Sequence, residues 1–580
     1  MEKSVQDNIL LPYNFFKLPI EYVDNIELSP HIVNDLEMLT TLSDTNQPIY
    51  KILFNNKTTL GDSCLHIWSK KFTTNQLFLE ESQELYKSLK SFSYDKNVIK
   101  NMLLSFKDIR SDNNFIDKYQ YIDIEKLKWA NKSTIFLQIL SYYNISSPVI
   151  NLITPLSILL IPFLILKLLK LPINFESYKD ILFKQLKKNS FGQLFFEFNN
   201  ISIYQKVYCF MCIGLYIYNI YQNIISCYKF YKNTHYILTH FDRINDYLDY
   251  TIQKLTYFSN LIQHYKSYES FKSDIDQNKL ELERLHKSIR TIKNNCSIGT
   301  KIKDIGYIMK HFYLLYDSEK IHDILQYSFG FHGYIDNILG IFEMYEKNKI
   351  NTIRFSKSNK TRVQFKNAYH PCIKNNIVKN NINLKKNHII TGPNAAGKTT
   401  LLKSTIINLI LSQQIGMGFY SKGVVSLFDY IHCYINIPDS CSRDSLFQAE
   451  ARRCKNILDI IKSNPKKKHF CIFDELYSGT NPYEAVSSAF SYLNYISSRY
   501  SNVKFMITTH YVKLCELLKD KKVNNIVNKH MNTDIINDIP IYKYKLKNGI
   551  STIKGGVSVL RQLQYPEHII ALTKTILNNI

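Results

Sequence analysis

The residues best suited to chemistry lie in the last 200 positions, and the first group follows a short apolar run. His388–Ile390 precedes the segment TGPNAAGKTT, Thr391–Thr400, which fits the pattern G-x-x-x-x-G-K-[ST]. The next residues, LLKSTIINLILSQ, are typical of a helix. A strand, a glycine loop and a helix in this order bind phosphate, because the loop amides and the positive helix end face the anion.

Each position of this loop has an expected part in holding a nucleotide and Mg²⁺. Gly392 and Gly397 allow backbone amides to wrap the phosphates, Lys398 reaches the β- and γ-phosphates, and Thr399 can ligate Mg²⁺. The predicted nucleotide-binding residues of the loop are Gly392, Pro393, Asn394, Ala395, Ala396, Gly397, Lys398, Thr399 and Thr400.

Two further groups follow apolar strands later in the chain. His469–Phe473 leads directly into Asp474, expected to hold Mg²⁺, and Glu475, expected to polarise the attacking water. The strand Val503–Thr509 ends at His510, which is placed to sense the γ-phosphate. Ligands of open α/β sheets bind at the carboxyl ends of the strands, so these side chains are predicted to meet at one sheet edge. Glu475, His510 and Lys398 are the predicted catalytic residues.

The elements that must position these groups begin near residue 350, where short β-like runs replace a helical pattern. The sequence predicts five segments along the chain. They are an N-terminal tail (1–30), a helical core domain (31–147), two apolar helices (148–228), long lever-like helices (229–350) and the nucleotide-binding domain (351–580).

Two apolar segments, Pro148–Leu171 and Val207–Ser226, are each about as long as the ~20 residues needed to cross a bilayer. One interpretation is a membrane hairpin, and the other is a pair of buried helices in a large helical core. The prolines at 155 and 162 and the polar Asn219 and Gln222 are compatible with the second interpretation, and the sequence leaves both open.

Charge and cysteine content say little about the class of protein or its partner. Lys and Arg outnumber Asp and Glu by 73 to 49, a net charge of +24 that would favour a polyanion such as nucleic acid or an anionic membrane face. The eleven cysteines are scattered, and the pair Cys209 and Cys212 has no second pair to complete a zinc site. A reduced intracellular protein is therefore expected, and the N-terminus does not resemble a secretory signal.

The motifs, taken in order, resemble those of the MutS family. The loop TGPNAAGKTT is similar to that family's P-loop, SLFQAE (445–450) to its S-T-F-x-x-E signature, and DELYSGTNPYEA (474–485) to its D-E-x-x-x-G-T motif. The same resemblance extends to SQQIG (412–416), TTHY (508–511), NKHM (528–531) and the stretch 544–570. A weaker one links KTTLGDSCLHIW (57–68) to the start of the family's helical core, with Thr58, Gly61, Leu65 and Trp68 in register.

This resemblance implies an α/β ABC-type P-loop NTPase domain at the C-terminus, preceded by a mostly α-helical core and lever domain. It implies ATP and Mg²⁺ as ligands, with Gln414 in the nucleotide site. It also implies a homodimer or heterodimer joined through the ATPase domains, in which Ser445 contacts the γ-phosphate in trans. The implied partner is mismatched or branched duplex DNA, handled by an ATP-driven dimeric clamp in mismatch repair or recombination. The alternative is a membrane-anchored ATPase of the same type whose substrate is not mismatched DNA.

Three departures from the family pattern accompany the resemblance. The chain begins at the core domain, so the mismatch-reading and connector domains are expected to be missing. Ser478 replaces the family's arginine in the D-E-x-x-R-G-T motif, and Ala396 replaces its second loop glycine. Neither substituted position is expected to bind the metal.

Overall fold

The computed structural model describes most of the chain. The described residues are 14–43, 45–153, 159–168, 174–188, 202–292, 302–358, 361–435, 446–521, 523, 525–536, 539–551, 553 and 555–579. They form two compact units, each built from separate stretches of sequence. Among the described residues, one unit comprises those within 95–254 and 279–325, and the other comprises those within 14–94, 255–278 and 326–579. The five-segment division along the chain remains a prediction.

The first stretch of the second unit is made of short helices and a two-stranded sheet. Its elements are β1 (Asn25–Glu27), α1 (Pro30–Asp35), α2 (Ile49–Phe54), α3 (Thr59–Trp68), β2 (Lys71–Thr73) and α4 (Gln76–Ser88), with β1 antiparallel to β2. Short 3-10 helices lie at Pro19–Tyr22 and Leu89–Ser91.

The described residues between 96 and 346 form helices joined by turns. These helices are α5 (Lys96–Arg110), α6 (Phe115–Lys118), α7 (Thr134–Ile153), α8 (Leu160–Leu168), α9 (Phe175–Lys188), α10 (Ile203–Ile262), α11 (Glu269–Ile289), α12 (Ile305–Asp317) and α13 (Glu319–Glu346). 3-10 turns occur at Glu125–Lys132 and Lys266–Tyr268. Apolar positions of α10 that follow three-and-four spacing, Ile244, Leu248, Leu255 and Phe258, are all buried, as an amphipathic packing stripe requires.

In the described residues, the two apolar segments do not form two separate long apolar helices, as the hairpin interpretation would require. The first is divided between the end of α7 and the nine-residue α8, and its residues 154–158 and 169–171 lie outside the described part of the chain. The second is one portion of the 60-residue α10, where tyrosines, Asn219 and Gln222 dilute the apolar run. Within the described ranges, no helix is both long enough and apolar enough to cross a bilayer. A buried pair is not observed either, since Leu215 and Ile217 are more than half exposed.

The C-terminal stretch is an α/β domain. Its strands are β3 (Asn351–Phe355), β4 (Val363–Ala368), β5 (Asn380–Asn383), β6 (Asn387–Thr391), β7 (Met417–Gly418), β8 (Lys422–Val425), β9 (Tyr430–Tyr434), β10 (His469–Asp474), β11 (Val503–Thr508), β12 (Ile526–Ile536) and β13 (Ile539–Asn548). Its helices are α14 (Lys398–Gln414), α15 (Leu446–Ser463), α16 (Pro482–Arg499), α17 (Val512–Asp520), α18 (Gly556–Gln562) and α19 (Glu567–Asn579).

Two sheets organise this domain. The larger has the order β13-β12-β6-β11-β10-β9, in which only β13 is antiparallel to its neighbour. The smaller, mixed sheet has the order β5-β4-β8-β3-β7. Strand β11 is buried at every position and β10 at all but the last, which explains why both are rich in apolar residues. The register aligns Thr508 of β11 with Asp474 of β10 and with Ile390 of β6, so three strand ends meet.

The short segment KTTLGDSCLHIW has its packing partner far along the chain, on α13. Asp336, only 3% exposed, accepts hydrogen bonds from the Lys57 and Thr58 amides and the Thr58 hydroxyl, and so fixes the start of α3. Trp68 Nε1 donates to Asn337 Oδ1 at 2.9 Å. A Cβ on Gly61 would lie 2.4 Å from Asp336 Oδ2, so only glycine allows this approach.

Candidate phosphate-binding site

The loop between β6 and α14 has the backbone that its glycines were expected to allow. Gly397 caps α14 at a φ of 88°, and Ala395 is also left-handed at 62°. Asn394, Ala395 and Thr400 are exposed, whereas Ala396 is buried at 1% exposure. A Cβ on Gly397 would come within 3.0 Å of Tyr544 Cδ1, because the β13 side chain lies close to the loop. The loop therefore presents an open face at the N-terminus of a 17-residue helix.

Lys398 turns its ammonium group back into this loop. Its Nζ lies 3.1 Å from Gly392 O and 3.2 Å from Pro393 O, and the side chain is 6% exposed. Burial lowers the pKa of Lys398, while Glu475 and Asp474 oppose that shift. A buried cation held by two neutral carbonyls, with His510 and carboxylates nearby, is well placed to bind an anion.

The ends of β10 and β11 bring the acidic residues against the start of α14. Thr399 Oγ1 donates to Asp474 Oδ2 at 2.8 Å, and the Thr508 hydroxyl donates to Asp474 Oδ1. These contacts aim the carboxylate at the hydroxyl that the sequence predicted as its fellow metal ligand. Thr508 was not among the predicted site residues, although its position at a neighbouring strand end could have indicated it.

Glu475, His510 and Lys398 form one charged cluster. His510 Nε2 lies 2.6 Å from Glu475 Oε1 and 3.2 Å from Lys398 Nζ, and Glu475 Oε1 lies 3.9 Å from Lys398 Nζ. The hydrogen bond from His510 lowers the pKa of Glu475, against the opposing effect of burial. Glu475 has a left-handed φ of 55°, a strained conformation of the kind that concentrates at functional sites. The cluster thus holds an ionised carboxylate beside the phosphate loop.

A cleft of about 890 Å³ opens beside this cluster, lined by loop residues 391–394, His510 and apolar side chains of α16, α17 and α18. Tyr483, at its mouth, is 87% exposed. The space next to the charged cluster is therefore accessible from outside.

Gln414, predicted as a nucleotide-binding residue, does not lie at this site. It ends α14, sixteen residues after Lys398, or about 24 Å away at 1.5 Å per residue. The side chain is 1% exposed and bonded within the protein. Tyr50 donates to its Oε1 at 3.0 Å, and its Nε2 donates to Trp68 O at 2.9 Å and Lys71 O at 2.8 Å. These contacts anchor the helix end to α2, α3 and β2.

Ser445 cannot be placed, since residues 436–445 lie outside the described part of the chain. Where the chain is described, no cluster of three or more His, Cys, Asp or Glu side chains forms a ready-made metal cage. Thr399 and Asp474 nevertheless suit Mg²⁺, which takes hard oxygen ligands and is bound through one or two carboxylates with phosphates and waters completing its shell.

Comparisons with known proteins agree with the motif order. Residues 388–580 match the family model described as MutS domain V. Proteins named "DNA mismatch repair protein MutS" are 31% identical over 217 residues in Persephonella marina, 31% over 193 residues in Finegoldia magna and 27% over 242 residues in Staphylococcus haemolyticus. These matches cover 36%, 33% and 40% of this chain, but only 24%, 22% and 26% of the relatives. The resemblance to the MutS family is therefore confirmed over residues 388–580, which match the model of MutS domain V.

Proposed function

We propose that this chain is a MutS-like, Mg²⁺-dependent ATPase that binds DNA and acts as a dimeric clamp in mismatch repair or recombination. The observation that carries the ATPase part is the cluster of Lys398, Asp474, Glu475 and His510 at one sheet edge, beside the open P-loop. This arrangement supports the assignment of the domain to the ABC-type P-loop class.

The residues at this edge divide the work of phosphoryl transfer. Lys398 and the loop amides bind the phosphates and offset the negative charge that spreads over them in the transition state. Thr399 and Asp474 would hold Mg²⁺, which supplies further charge neutralisation when bound. Glu475, kept ionised by its contact with His510, orients a water for attack and accepts its proton. His510 lies beside Glu475 and Lys398, where it would contact the γ-phosphate.

The DNA part of the proposal is supported by the charge of +24, the names of the relatives and a polar groove in the helical unit. This groove, about 1180 Å³, lies between α6 and α10 and is lined by Lys118, Lys229 and Lys232. Asp112 and Asp117 also line it, and Lys118 pairs with Asp112 at 2.8 Å. Contacts from such lysines would be to phosphates, and hence salt-sensitive and independent of sequence.

A dimer joined through the ATPase domains would complete the site by placing Ser445 of one copy against the nucleotide of the other. The exposed cleft beside the P-loop supports this, since it leaves the phosphate region open to a second protein surface. The free cysteines of the described residues, Cys433 and Cys471 among them, fit a reducing intracellular setting.

The first experiment measures ATP turnover by the full chain without DNA and with perfect, mismatched and branched duplexes, at two salt concentrations. Lys398→Ala should abolish ATP binding, and Glu475→Ala should retain binding but lose turnover. The DNA assignment predicts that DNA changes turnover or that ATP changes DNA retention. Turnover that ignores every duplex, with no retention at low salt, would overturn the DNA assignment. Absence of turnover in the unmodified protein would overturn the ATPase assignment.

Charge reversal tests the groove separately. Lys229→Glu with Lys232→Glu should weaken binding to all three duplexes alike and flatten the salt dependence of affinity. The control is Lys455→Glu on α15, an exposed lysine that pairs with Asp459 and does not line the groove. Equal DNA affinity in the two variants would exclude the groove as a phosphate contact.

A further inference from the structure

A second buried carboxylate faces the chain segment that carries Glu475. Glu450, on the second turn of α15, is only 3% exposed. Its Oε1 accepts hydrogen bonds from the Ser478 amide at 3.2 Å and the Ser478 hydroxyl at 2.8 Å, and its Oε2 accepts from the Gly479 amide at 3.1 Å. Both oxygens are therefore engaged by the segment 475–481, called here the Glu475 loop.

The Glu475 loop needs such external support, because its backbone is strained. Glu475 and Tyr477 have φ values of 55° and 58°, and neither residue is glycine. Such conformations persist only where the surroundings determine them. In this loop the donors to Glu450 come immediately after the second strained residue, so the carboxylate restrains the loop three residues from Glu475.

Helix α15 also packs against the loop through apolar contacts. The ring of Phe447 lies 5.8 Å from that of Tyr477. A Cβ on Gly479 would come within 2.8 Å of Phe447 N and of Leu446 Cγ, so the loop passes this helix end at a distance that only glycine permits. The carboxylate of Glu450 therefore acts within a tightly fitted contact rather than across open solvent.

Ser478 makes this contact different from the one that the family pattern would give. The hydroxyl stands where the family pattern has arginine, and it supplies the shortest of the three hydrogen bonds to Glu450. A short neutral donor requires the loop backbone itself to approach the carboxylate, whereas a long cationic side chain could reach it from farther away.

We propose that Glu450 is a positioning residue for ATP hydrolysis. It holds the backbone of the Glu475 loop so that the Glu475 carboxylate stays beside His510 and faces the attacking water. It touches neither nucleotide nor metal, and acts through Ser478 and Gly479. This inference rests on the proposed ATPase function.

The test compares Glu450→Gln with Asp459→Asn in the full-length protein. Both changes remove one carboxylate from α15, but Asp459 is exposed and pairs with Lys455 instead of the loop. Glutamine keeps the size of Glu450 while replacing one acceptor by a donor, which opposes an amide of the loop. The measurements are kcat and KM for ATP, affinity for a fluorescent ATP analogue, the melting temperature, and hydrogen–deuterium exchange of a peptide spanning residues 474–484.

Glu450→Gln is expected to lower kcat about 10- to 100-fold, because a misplacement of about 1 Å at a reacting group costs this much. KM and analogue affinity should stay within about threefold of the unmodified protein, and exchange in the 474–484 peptide should become faster. Ser478→Ala should also lower kcat while KM and analogue affinity stay nearly unchanged. Its loss of kcat should be smaller, since it removes one of three hydrogen bonds. Asp459→Asn should match the unmodified protein.

Two results would overturn the proposal. One is unchanged kcat and exchange in Glu450→Gln, which would show that the loop holds its position without this carboxylate. The other is a parallel loss of melting temperature, analogue affinity and kcat, which would indicate a general structural role. If the unmodified chain binds the analogue but does not hydrolyse ATP, the proposed function fails. The exchange comparison then still decides whether Glu450 restrains the loop.

Discussion

The two ends of α14 carry similar expectations from the sequence but have opposite environments. At its first residue, Lys398 lies in a charged cluster beside an open loop and an accessible cleft. At its last residue, Gln414 is buried and hydrogen-bonded to Tyr50, Trp68 and Lys71. One end leaves its charge available for a ligand, and the other satisfies every polar atom within the protein. The comparison teaches that a site residue is recognised by what it leaves unbonded as well as by its motif.

The buried end is reinforced by neighbouring glutamines. Gln413 Nε2 donates to Phe428 O at 2.9 Å and to Thr73 O at 3.2 Å, and its Oε1 accepts from the Phe428 amide. Gln83 Nε2 donates to Gly416 O at 2.8 Å and to Ile353 O at 3.0 Å. Fully bonded networks of this kind rigidify the structure around them. The far end of the P-loop helix is thus joined to the helices of residues 49–88.

The largest expected effect is at the charged end. Glu475→Gln should lower kcat roughly 1000-fold while ATP affinity stays within about threefold, because general-base catalysis contributes about 10²- to 10⁴-fold and the amide cannot accept the proton. Single-turnover hydrolysis and equilibrium binding of an ATP analogue measure the two quantities. A loss of less than tenfold would remove Glu475 from the role of base, and the charged cluster would then be a binding site alone.

Gln414→Ala should lower the stability of the fold and leave ATP affinity nearly unchanged. Removal of the amide leaves the Trp68 and Lys71 carbonyls and the Tyr50 hydroxyl without their partner, so the free energy of unfolding should fall by about 3 kcal/mol. ATP affinity at 25 °C should change by less than threefold. Urea unfolding and analogue binding report the two values.

Gln76→Ala on α4 is the matched control for this change, since the partly exposed Gln76 donates to Glu80 at the surface. It should leave stability within about 0.5 kcal/mol of the unmodified protein. A tenfold loss of ATP affinity in Gln414→Ala without loss of stability would contradict the structural role and restore the nucleotide-site interpretation.

The meeting of Lys398, Glu475 and His510 at one sheet edge could be predicted because it depends on local sequence patterns. A buried parallel strand is rich in apolar residues, and Thr391, Asp474 and Thr508 are the last residues of three such strands. Parallel strands share one edge for their carboxyl ends, so the meeting of three groups follows from general rules. The α/β character of residues 351–580 follows from the same pattern.

The buried end could not be predicted because its partners are remote in sequence. Nothing in SQQIG indicates that Gln414 faces Trp68, which is 346 residues away. In the same way, the Thr58 and Gly61 pattern depends on Asp336 of α13. The family resemblance implied that Gln414 binds the nucleotide, but it gave no distance between Gln414 and the P-loop. The length of α14 places Gln414 about 24 Å from Lys398. The structure of the two apolar segments could not be predicted for another reason. Hydropathy alone does not show where a helix begins or ends, so it could not show that the second segment is part of a longer helix.

The smallest of the three expected effects concerns a buried histidine on β9, the strand at one edge of the larger sheet. His432 of β9 is 7% exposed, and its Nε2 lies 3.2 Å from His469 Nδ1, with the two rings stacked at 5.5 Å. Burial, followed by the nearby His469 and Arg453, lowers the pKa of His432 to about 3. The unfolded chain therefore binds this proton first, so the stabilisation is present above about pH 6.5 and is lost as the pH falls towards 3.

Between pH 7.5 and pH 5.0 this one group should cost about 2 kcal/mol of stability, by linkage between a folded-state pKa near 3 and an unfolded value near 6.5. His432→Gln keeps a polar group against His469 but does not titrate, so its stability should fall less over the same interval. His66→Gln on the exposed face of α3 should retain the full acid sensitivity. Urea unfolding at both pH values measures the difference. Equal losses in the two variants would mean that His432 is hydrated, and that the edge of the sheet is as open as the phosphate site.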